Sequence, residues 1–242
     1  TDIEIVGNNT DNVLIGGSGD DTLRTGSGND QLFGGLGDDI LIINGTGDSI
    51  LDGGDGVDTF RVDMSHYVPP EGDPGFTYLV DLPNEFVGSL NDQEHVNNDT
   101  LKNIENIDYT GSINAVFYGD EGNNFINGGS GDDYLYGGDG NDSLTGGYGD
   151  DTLTGGSGED TFVLDAIFGD DTITDFDGSS DMIDLSAIVG ASVTTAATSD
   201  GDVKLTVEDS QGQQHGTLTL EDVSLEDWNA MQDNILLFNT GI

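Results

Sequence analysis

The sequence predicts an all-β protein: a parallel β-roll in two blocks, closed by a β-rich C-terminal cap. Three observations carry this reading. A glycine-rich unit recurs every nine residues, as GGSGDDTLR (16–24), TGSGNDQLF (25–33) and GGLGDDILI (34–42). It resumes as GGSGDDYLY (128–136), GGDGNDSLT (137–145), GGYGDDTLT (146–154) and GGSGEDTFV (155–163). Each unit sets an aspartate two residues before one large apolar side chain. After Leu185 the glycines thin out and alternating apolar residues take their place.

The glycines allow backbone with positive φ, so the first six residues of a unit make a tight turn and the last three a short strand. One inward apolar residue per unit cannot form a core alone, so units must stack into a solenoid. Two units complete a coil, and units i and i+2 lie about 4.8 Å apart on the same side. The first block runs in frame from Gly7. Its sixth positions are Asn12, Asp21, Asp30, Asp39 and Asp48, then Asp58 after a one-residue slip at Asp52. Leu14, Leu23, Leu32, Leu41, Ile50 and Phe60 are the expected inward residues.

Residues 62–117 interrupt the pattern and hold all four prolines, Pro69, Pro70, Pro74 and Pro83. They read as an outsized connecting coil, with a strand over Gly75–Leu82 and an irregular loop over Pro83–Asn98. DTLKNIENIDYTGS then returns to the solenoid pattern, with Leu101, Ile104 and Ile107 as core. The second block has sixth positions Asn124, Asp133, Asp142, Asp151 and Asp160, then less regularly Asp171 and Asp181. Beyond it, Val203–Glu208 and Thr217–Glu221 alternate like antiparallel strands. Ser224–Met231 reads as a short helix capped by Ser224, and Ile235–Phe238 as a closing strand. The expected organisation is thus 1–61, first block; 62–117, insert; 118–185, second block; 186–242, cap.

The chain carries 48 acidic and four basic residues, a formal charge of −44. Such a polyanion lacks the cations needed to bind nucleic acid or an anionic membrane. There is no cysteine, and no apolar run approaches the ~20 residues of a membrane span. No signal-peptide pattern opens the chain, and its start without Met, almost inside a repeat, predicts a fragment of a longer protein. High charge with low hydrophobicity is also the composition of disordered chains, so disorder is expected when no counter-ion is present.

Stacking puts the aspartates in columns, Asp133, Asp151 and Asp171 on one side and Asp142 and Asp160 on the other. Two carboxylates ~5 Å apart repel by roughly 1 kcal/mol in water and several times that at lower dielectric. A divalent cation between them reverses the sign. The repeats offer only carboxylate and carbonyl oxygens, a set that suits Ca²⁺ and not zinc or copper. Other chemistry is absent from the sequence. DFDG (175–178) has its glycine in the wrong place for an EF-hand, and no HExxH, GxSxG or phosphate-binding loop occurs. His66, His95 and His215 are far apart in sequence, and Tyr134, Tyr136 and Tyr148 are read as strand or turn residues before sugar-stacking ones.

These nonapeptides closely resemble the RTX (hemolysin-type) calcium-binding repeats of proteins exported by type I secretion. The resemblance covers 7–60 and 119–163, and 169–188 is similar to segments that end such rolls. It implies a right-handed calcium-binding parallel β-helix holding roughly 6–9 Ca²⁺ ions. It also implies a ligand set in which position-six aspartates of units i and i+2 join carbonyls of the glycine turns. On this chain those are Gly17, Gly19 and Asp21; Gly26, Gly28 and Asp30; Gly35, Gly37 and Asp39; with Asp48 and Asp58. In the second block they are Gly129, Gly131 and Asp133; Gly138, Gly140 and Asp142; Gly147, Gly149 and Asp151; Gly156, Gly158 and Asp160; and Asp171. Thr25, Asn44 and Thr46 depart from the glycine pattern, and Asn12 and Asn124 replace the aspartate of each block's first unit.

The family further implies a secreted, extracellular or cell-surface protein whose partners are calcium and the type I secretion machinery. A secretion signal is expected in about the last fifty residues. The expected function is a non-catalytic module that folds on calcium outside the cell and supports secretion of a larger exoprotein; any catalytic domain is expected upstream in the parent. The alternative is a carbohydrate-binding or adhesive module that takes an extracellular polysaccharide. Neither reading includes nucleic acid or membrane insertion.

Overall fold

The computed structural model describes residues 1–45, 47–63, 78–89, 99–231 and 236–239. They form two compact units, Thr1–Asp120 and Glu121–Ile242. Thr46, His66, Pro69, Pro70, Pro74, His95 and Ile235 lie outside the described residues, as do most of Gly75–Tyr78's expected strand start and positions 90–98 of the expected loop.

In the first unit the chain runs alternately between two parallel ladders. One contains β1 (Glu4–Val6), β3 (Thr22–Thr25), β5 (Ile40–Ile43), β7 (Thr59–Asp63) and β11 (Asn106–Thr110). The other contains β2 (Val13–Ser18), β4 (Gln31–Leu36), β6 (Ile50–Asp55) and β10 (Asp99–Lys102). Leu14 pairs with Leu32 and Leu23 with Leu41, so one coil is two nonapeptides. Leu23, Leu32, Leu41, Leu51 and Phe60 are wholly buried. The insert contributes β8 (Tyr78–Asp81) and β9 (Phe86–Ser89), an antiparallel pair. β9 also pairs with β10, and β8 runs parallel to β12 (Ala115–Tyr118). Phe86–Ser89 is therefore a strand where the sequence reading has irregular loop. Edge pairing on β10, and burial of Val80 and Val87, outweigh the turn-forming Pro83–Asn84 beside it.

The register corrects the sequence reading at one turn. Ile50 pairs with Gln31 and Leu51 with Leu32, so Leu51, not Ile50, is the inward residue. The extra residue sits in the turn between Asn44 and Ser49, ahead of the strand, and not at Asp52. Sliding the strand by one residue would have turned its apolar set outward.

The second unit repeats the plan. β13 (Phe125–Asn127), β15 (Ser143–Thr145), β17 (Thr161–Val163), β19 (Met182–Val189) and β23 (Leu236–Asn239) form one ladder. β14 (Tyr134–Asp139), β16 (Thr152–Ser157) and β18 (Asp170–Ile173) form the other. Ile126, Leu135, Leu144, Leu153, Phe162, Ile173 and Ile183 fill the interior. The C-terminal segment then continues both ladders. β22 (Gln214–Leu220) lies parallel to β18, and β21 (Val203–Glu208) and β20 (Ser192–Ala197) follow it antiparallel. α1 (Leu225–Met231) starts at Ser224, whose hydroxyl accepts the Asp227 N–H at 3.1 Å, and buries Trp228. No described helix is long and apolar enough to cross a membrane.

Leu218 and Leu220 pair onto Asp171 and Ile173, so the cap covers the last apolar layer. Leaving each such residue in water costs roughly 1.5–3 kcal/mol. Truncation after about Ser192 is therefore expected to raise the calcium concentration needed to fold the second unit, or to cause aggregation. In the intact chain, Trp228 fluorescence is expected to shift blue as calcium is added. A truncated chain that titrates like the intact one would exclude a capping role.

Candidate metal centres

Stacking in an 18-residue register brings the position-six side chains together in the columns that the repeats predict. In the first unit the Oδ1 of Asp39 accepts the Asp21 backbone N–H at 2.7 Å, and that of Asp58 accepts the Asp39 N–H at 2.7 Å. In the second unit Asp133 donates to Asp151 at 2.8 Å and Asp151 to Asp171 at 3.0 Å. The parallel column runs from Asn124 to Asp142, Asp160 and Asp181. One carboxylate oxygen per residue thus joins successive coils, and all these aspartates are buried.

The second oxygen faces inward on the turn. Oδ2 of Asp21, Asp39, Asp58 and Asp151 is buried with no hydrogen-bond partner. Each points at the first glycine of its own unit, Gly16, Gly34, Gly53 and Gly146. At Gly16 the same space meets the Gly34 carbonyl, 2.6 Å from where a Cβ would stand, and at Gly34 it meets the Gly53 carbonyl, 2.5 Å from that point. Any side chain would fill this cradle, which is why glycine holds the first place. The second and fourth glycines have positive φ, for example Gly35 at 121° and Gly37 at 117°, and a Cβ on either would strike the carbonyl of the coil before it. Gly17, Gly19, Gly129, Gly131, Gly138, Gly140, Gly147, Gly149, Gly156 and Gly158 share that conformation.

An unpartnered buried carboxylate oxygen costs free energy unless a proton or a cation meets it. Burial pushes the carboxyl of Asp171 up to about 8, that of Asp99 to about 7, and those of Asp58 and Asp151 to about 6. Among the described residues no three carboxylate, histidine or cysteine side chains gather into a metal-holding group. A cation between stacked turns meets at most two carboxylates, and carbonyl oxygens must complete its shell. That donor set fits Ca²⁺, which takes six to eight oxygens in flexible geometry.

The unit at 25–33 departs from this plan. Thr25 stands where the first glycine belongs, and its hydroxyl donates to Oδ2 of Asp30 at 2.9 Å. Gly26 lacks the positive φ of its equivalents, whereas Gly28 keeps it at 140°. Above Asp30 the buried place belongs to Ser49, whose hydroxyl accepts the Asp30 N–H at 3.2 Å. Asp48, expected as a ligand, is exposed in the fifth position, and its N–H donates to Asn29. The extra residue in the 44–48 turn causes this shift.

Two features were not read from the sequence. Asp99 continues the column above Ser49, accepting its N–H at 2.7 Å, and Glu105 continues the other above Asp58, also at 2.7 Å. Their signal was the carboxylate two residues before an inward Leu101 or Ile107. The fifth positions form a second, exposed ladder running the opposite way. There Asp38, Asp150, Asp170 and Asn141 donate N–H to Oδ1 of Asp20, Asp132, Asp150 and Asn123 one coil earlier. His215 is tied to the Ala166 carbonyl and lies 3.5 Å from the Asp209 carboxylate, a structural place in the cap. In DFDG the Asp177 carboxylate takes the Ser179 N–H at 2.9 Å, a local turn and not an EF-hand.

A family model, the RTX calcium-binding nonapeptide repeat (4 copies), matches residues 6–41, 109–144 and 136–166. The chain belongs to the RTX calcium-binding repeat proteins. Calcium is the ion that RTX repeats bind. No curated protein matches it. Solved structures do. The AlgE6R3 subunit of the Azotobacter vinelandii mannuronan C5-epimerase is 34% identical, with 47% of this chain and 76% of that one covered and a TM-score of 0.39. The AlgE6R2 subunit of the same enzyme is 28% identical, with 52% and 93% covered and a TM-score of 0.38. The extracellular lipase LipA of Serratia marcescens is 21% identical, with 98% of this chain and 40% of that one covered and a TM-score of 0.31.

The neighbours of each aspartate set the expected effect of removing it. Asp151 stands between Asp133 and Asp171, Asp142 between Asn124 and Asp160, and Asp30 between Asn12 and Ser49. Asp151→Ala is expected to lose about two bound calcium ions, Asp142→Ala one to two at about the same scale, and Asp30→Ala the fewest. Equilibrium dialysis of the three variants checks the order. Equal losses, or a larger loss at Asp30, would contradict the columns.

Proposed function

We propose that this chain is a calcium-triggered folding module that leaves the cell unfolded through a type I secretion system and folds outside. The observation that supports this most is the buried carboxylate column in a chain of net charge −44. Without cations the columns hold like charges against one another, and each nonapeptide offers one inward side chain. If each site has a Kd near the 10⁻⁴ M typical of extracellular modules, millimolar calcium contributes about 1.4 kcal/mol per site. Some seven such sites supply ~10 kcal/mol, the scale of a whole domain's stability. At sub-micromolar cytosolic calcium the same contribution is close to zero. In this reading Asp21, Asp39, Asp58, Asp133, Asp142, Asp151, Asp160 and Asp171 hold the ions with carbonyls of the glycine turns. The cap, 186–242, carries the export signal, and any catalysis belongs to other parts of a larger exoprotein.

A glycan-binding role is the second reading. It is favoured by Tyr134 and Tyr148, which stand 48% and 56% exposed. A glycan array run in calcium separates the two, since a folding module alone retains no polysaccharide.

The folding module is expected to be largely unfolded in chelator and β-rich in millimolar calcium, with magnesium at equal concentration unable to replace it. Circular dichroism during a calcium titration measures this. A complete β spectrum in excess chelator would overturn the proposal.

A further inference from the structure

We propose a calcium-type cation site between Asp58 and Glu105, where the repeats have already ended. It rests on reading the repeat cradles as calcium sites, but its second half comes from residues outside any repeat.

Gly53–Asp58 (GGDGVD) is the last repeat turn of the first unit. Gly54 and Gly56 keep positive φ, at 112° and 156°, as in the units before it. Asp58 is wholly buried, and its Oδ2 has no hydrogen-bond partner. In the preceding coils the equivalent oxygen faces a glycine cradle closed by the first carbonyl of the next repeat. No repeat follows here. The chain instead leaves through the insert and returns at β10 and β11, and the register places its return on the last repeat. Thr100 and Leu101 pair with Ile50 and Leu51, and Asn106 and Ile107 with Thr59 and Phe60.

That register replaces the six-residue turn by Asn103-Ile104-Glu105. The Asn103 carbonyl closes the Gly53 cradle beside Asp58 Oδ2, in the place Gly53 itself takes above Gly34. Asn103 reaches it with φ of 48°, a left-handed conformation that costs a non-glycine residue about 1 kcal/mol or more. Its side-chain amide donates to the Asp52 carboxylate at 2.7 Å, which holds the residue there. The Glu105 carboxylate accepts the Asp58 N–H at 2.7 Å, as Asp58 accepts that of Asp39.

The chemistry follows from what the short turn omits. A three-residue turn has lost the third-position carbonyl that a full repeat offers. Glutamate, longer than aspartate by one methylene and able to present two oxygens to one cation, compensates for that loss. The donors are then the carboxylates of Asp58 and Glu105 and backbone carbonyls, all hard oxygens, which selects Ca²⁺ over zinc or copper. A cation here ties the returning strands β10 and β11 to the repeat block.

Glu105→Gln tests the site in the full chain, because it keeps the acceptor for the Asp58 N–H and removes only the charge. Equilibrium dialysis is expected to show about one bound calcium fewer per chain, or that ion's Kd raised ~10-fold or more. Unchanged ion number and affinity would overturn the proposal. Anomalous scattering from calcium-loaded crystals of the unaltered chain covers a variant that does not fold. A peak between Asp58 and Glu105 supports the site, whereas peaks between repeat aspartates with none here overturn it alone. A chain with no calcium peak anywhere overturns the repeat reading together with it.

Discussion

The buried column of carboxylates is the constraint on which the rest of this structure depends. Asp21, Asp39, Asp58 and Asp151 each link two coils through Oδ1 and turn Oδ2 into a cradle with no protein donor. A carboxylate so placed raises its affinity for a proton, as Asp58 and Asp151 do, or takes a cation. Glycine at the first, second and fourth positions, the 18-residue register and the absence of other polar donors in the cradle all serve that arrangement. The core is correspondingly thin. One inward side chain stabilises a unit by roughly 1.5–3 kcal/mol, while ordering the backbone costs about 1–2 kcal/mol for every residue. Backbone ladders and the ions must make up the difference.

The fifth-position ladder adds a second, opposite set of links at the solvent face. Position six passes its hydrogen bond from the earlier coil to the later side chain, and position five from the later coil to the earlier side chain. Each turn is therefore clamped from both directions, which fixes the coil spacing that the cradle requires. Asn serves as well as Asp at position five, as Asn123 and Asn141 show, because only an acceptor oxygen is needed there. At position six the charge matters, and the neutral residues Asn12, Asn124 and Ser49 appear at block starts or at the irregular turn.

The regular repeats were legible because turn, ligand and core positions coincide in one nine-residue frame. Where they part, the reading slipped. In Asp48-Ser49-Ile50-Leu51 the order acid–polar–apolar–apolar allows two frames, and only pairing of Leu51 with Leu32 decides between them. Asp30 looked like its neighbours, but Thr25 five residues earlier supplies a hydroxyl to its inward oxygen, a contact invisible to spacing. Asp99 and Glu105 escaped because the turn between them has contracted and holds no glycine. Their positions depend on strands that pair across an interval of about fifty residues. The strand Phe86–Ser89 was missed for a different reason: the turn-forming Pro83–Asn84 beside it reads as loop, while pairing with its neighbours β8 and β10 makes it a strand.

The ends of the columns show how the polar and apolar parts of the fold depend on one another. A stack of carboxylates cannot terminate on a bare charge without cost, and in the first unit it begins on Ile3 and Asn12. In the second unit, among the described residues, the cap brings Leu218 and not a carboxylate to the place beside Asp171. Docking Leu218 removes water from Asp171, and burial is the largest cause of its raised proton affinity. An ionised, unpaired Asp171 therefore opposes the cap, while a neutralised one accepts it. The same contact that shields Ile173 thus disfavours a charged Asp171. Closing the apolar end of the roll and raising the proton affinity of its last carboxylate are for this reason two effects of one contact.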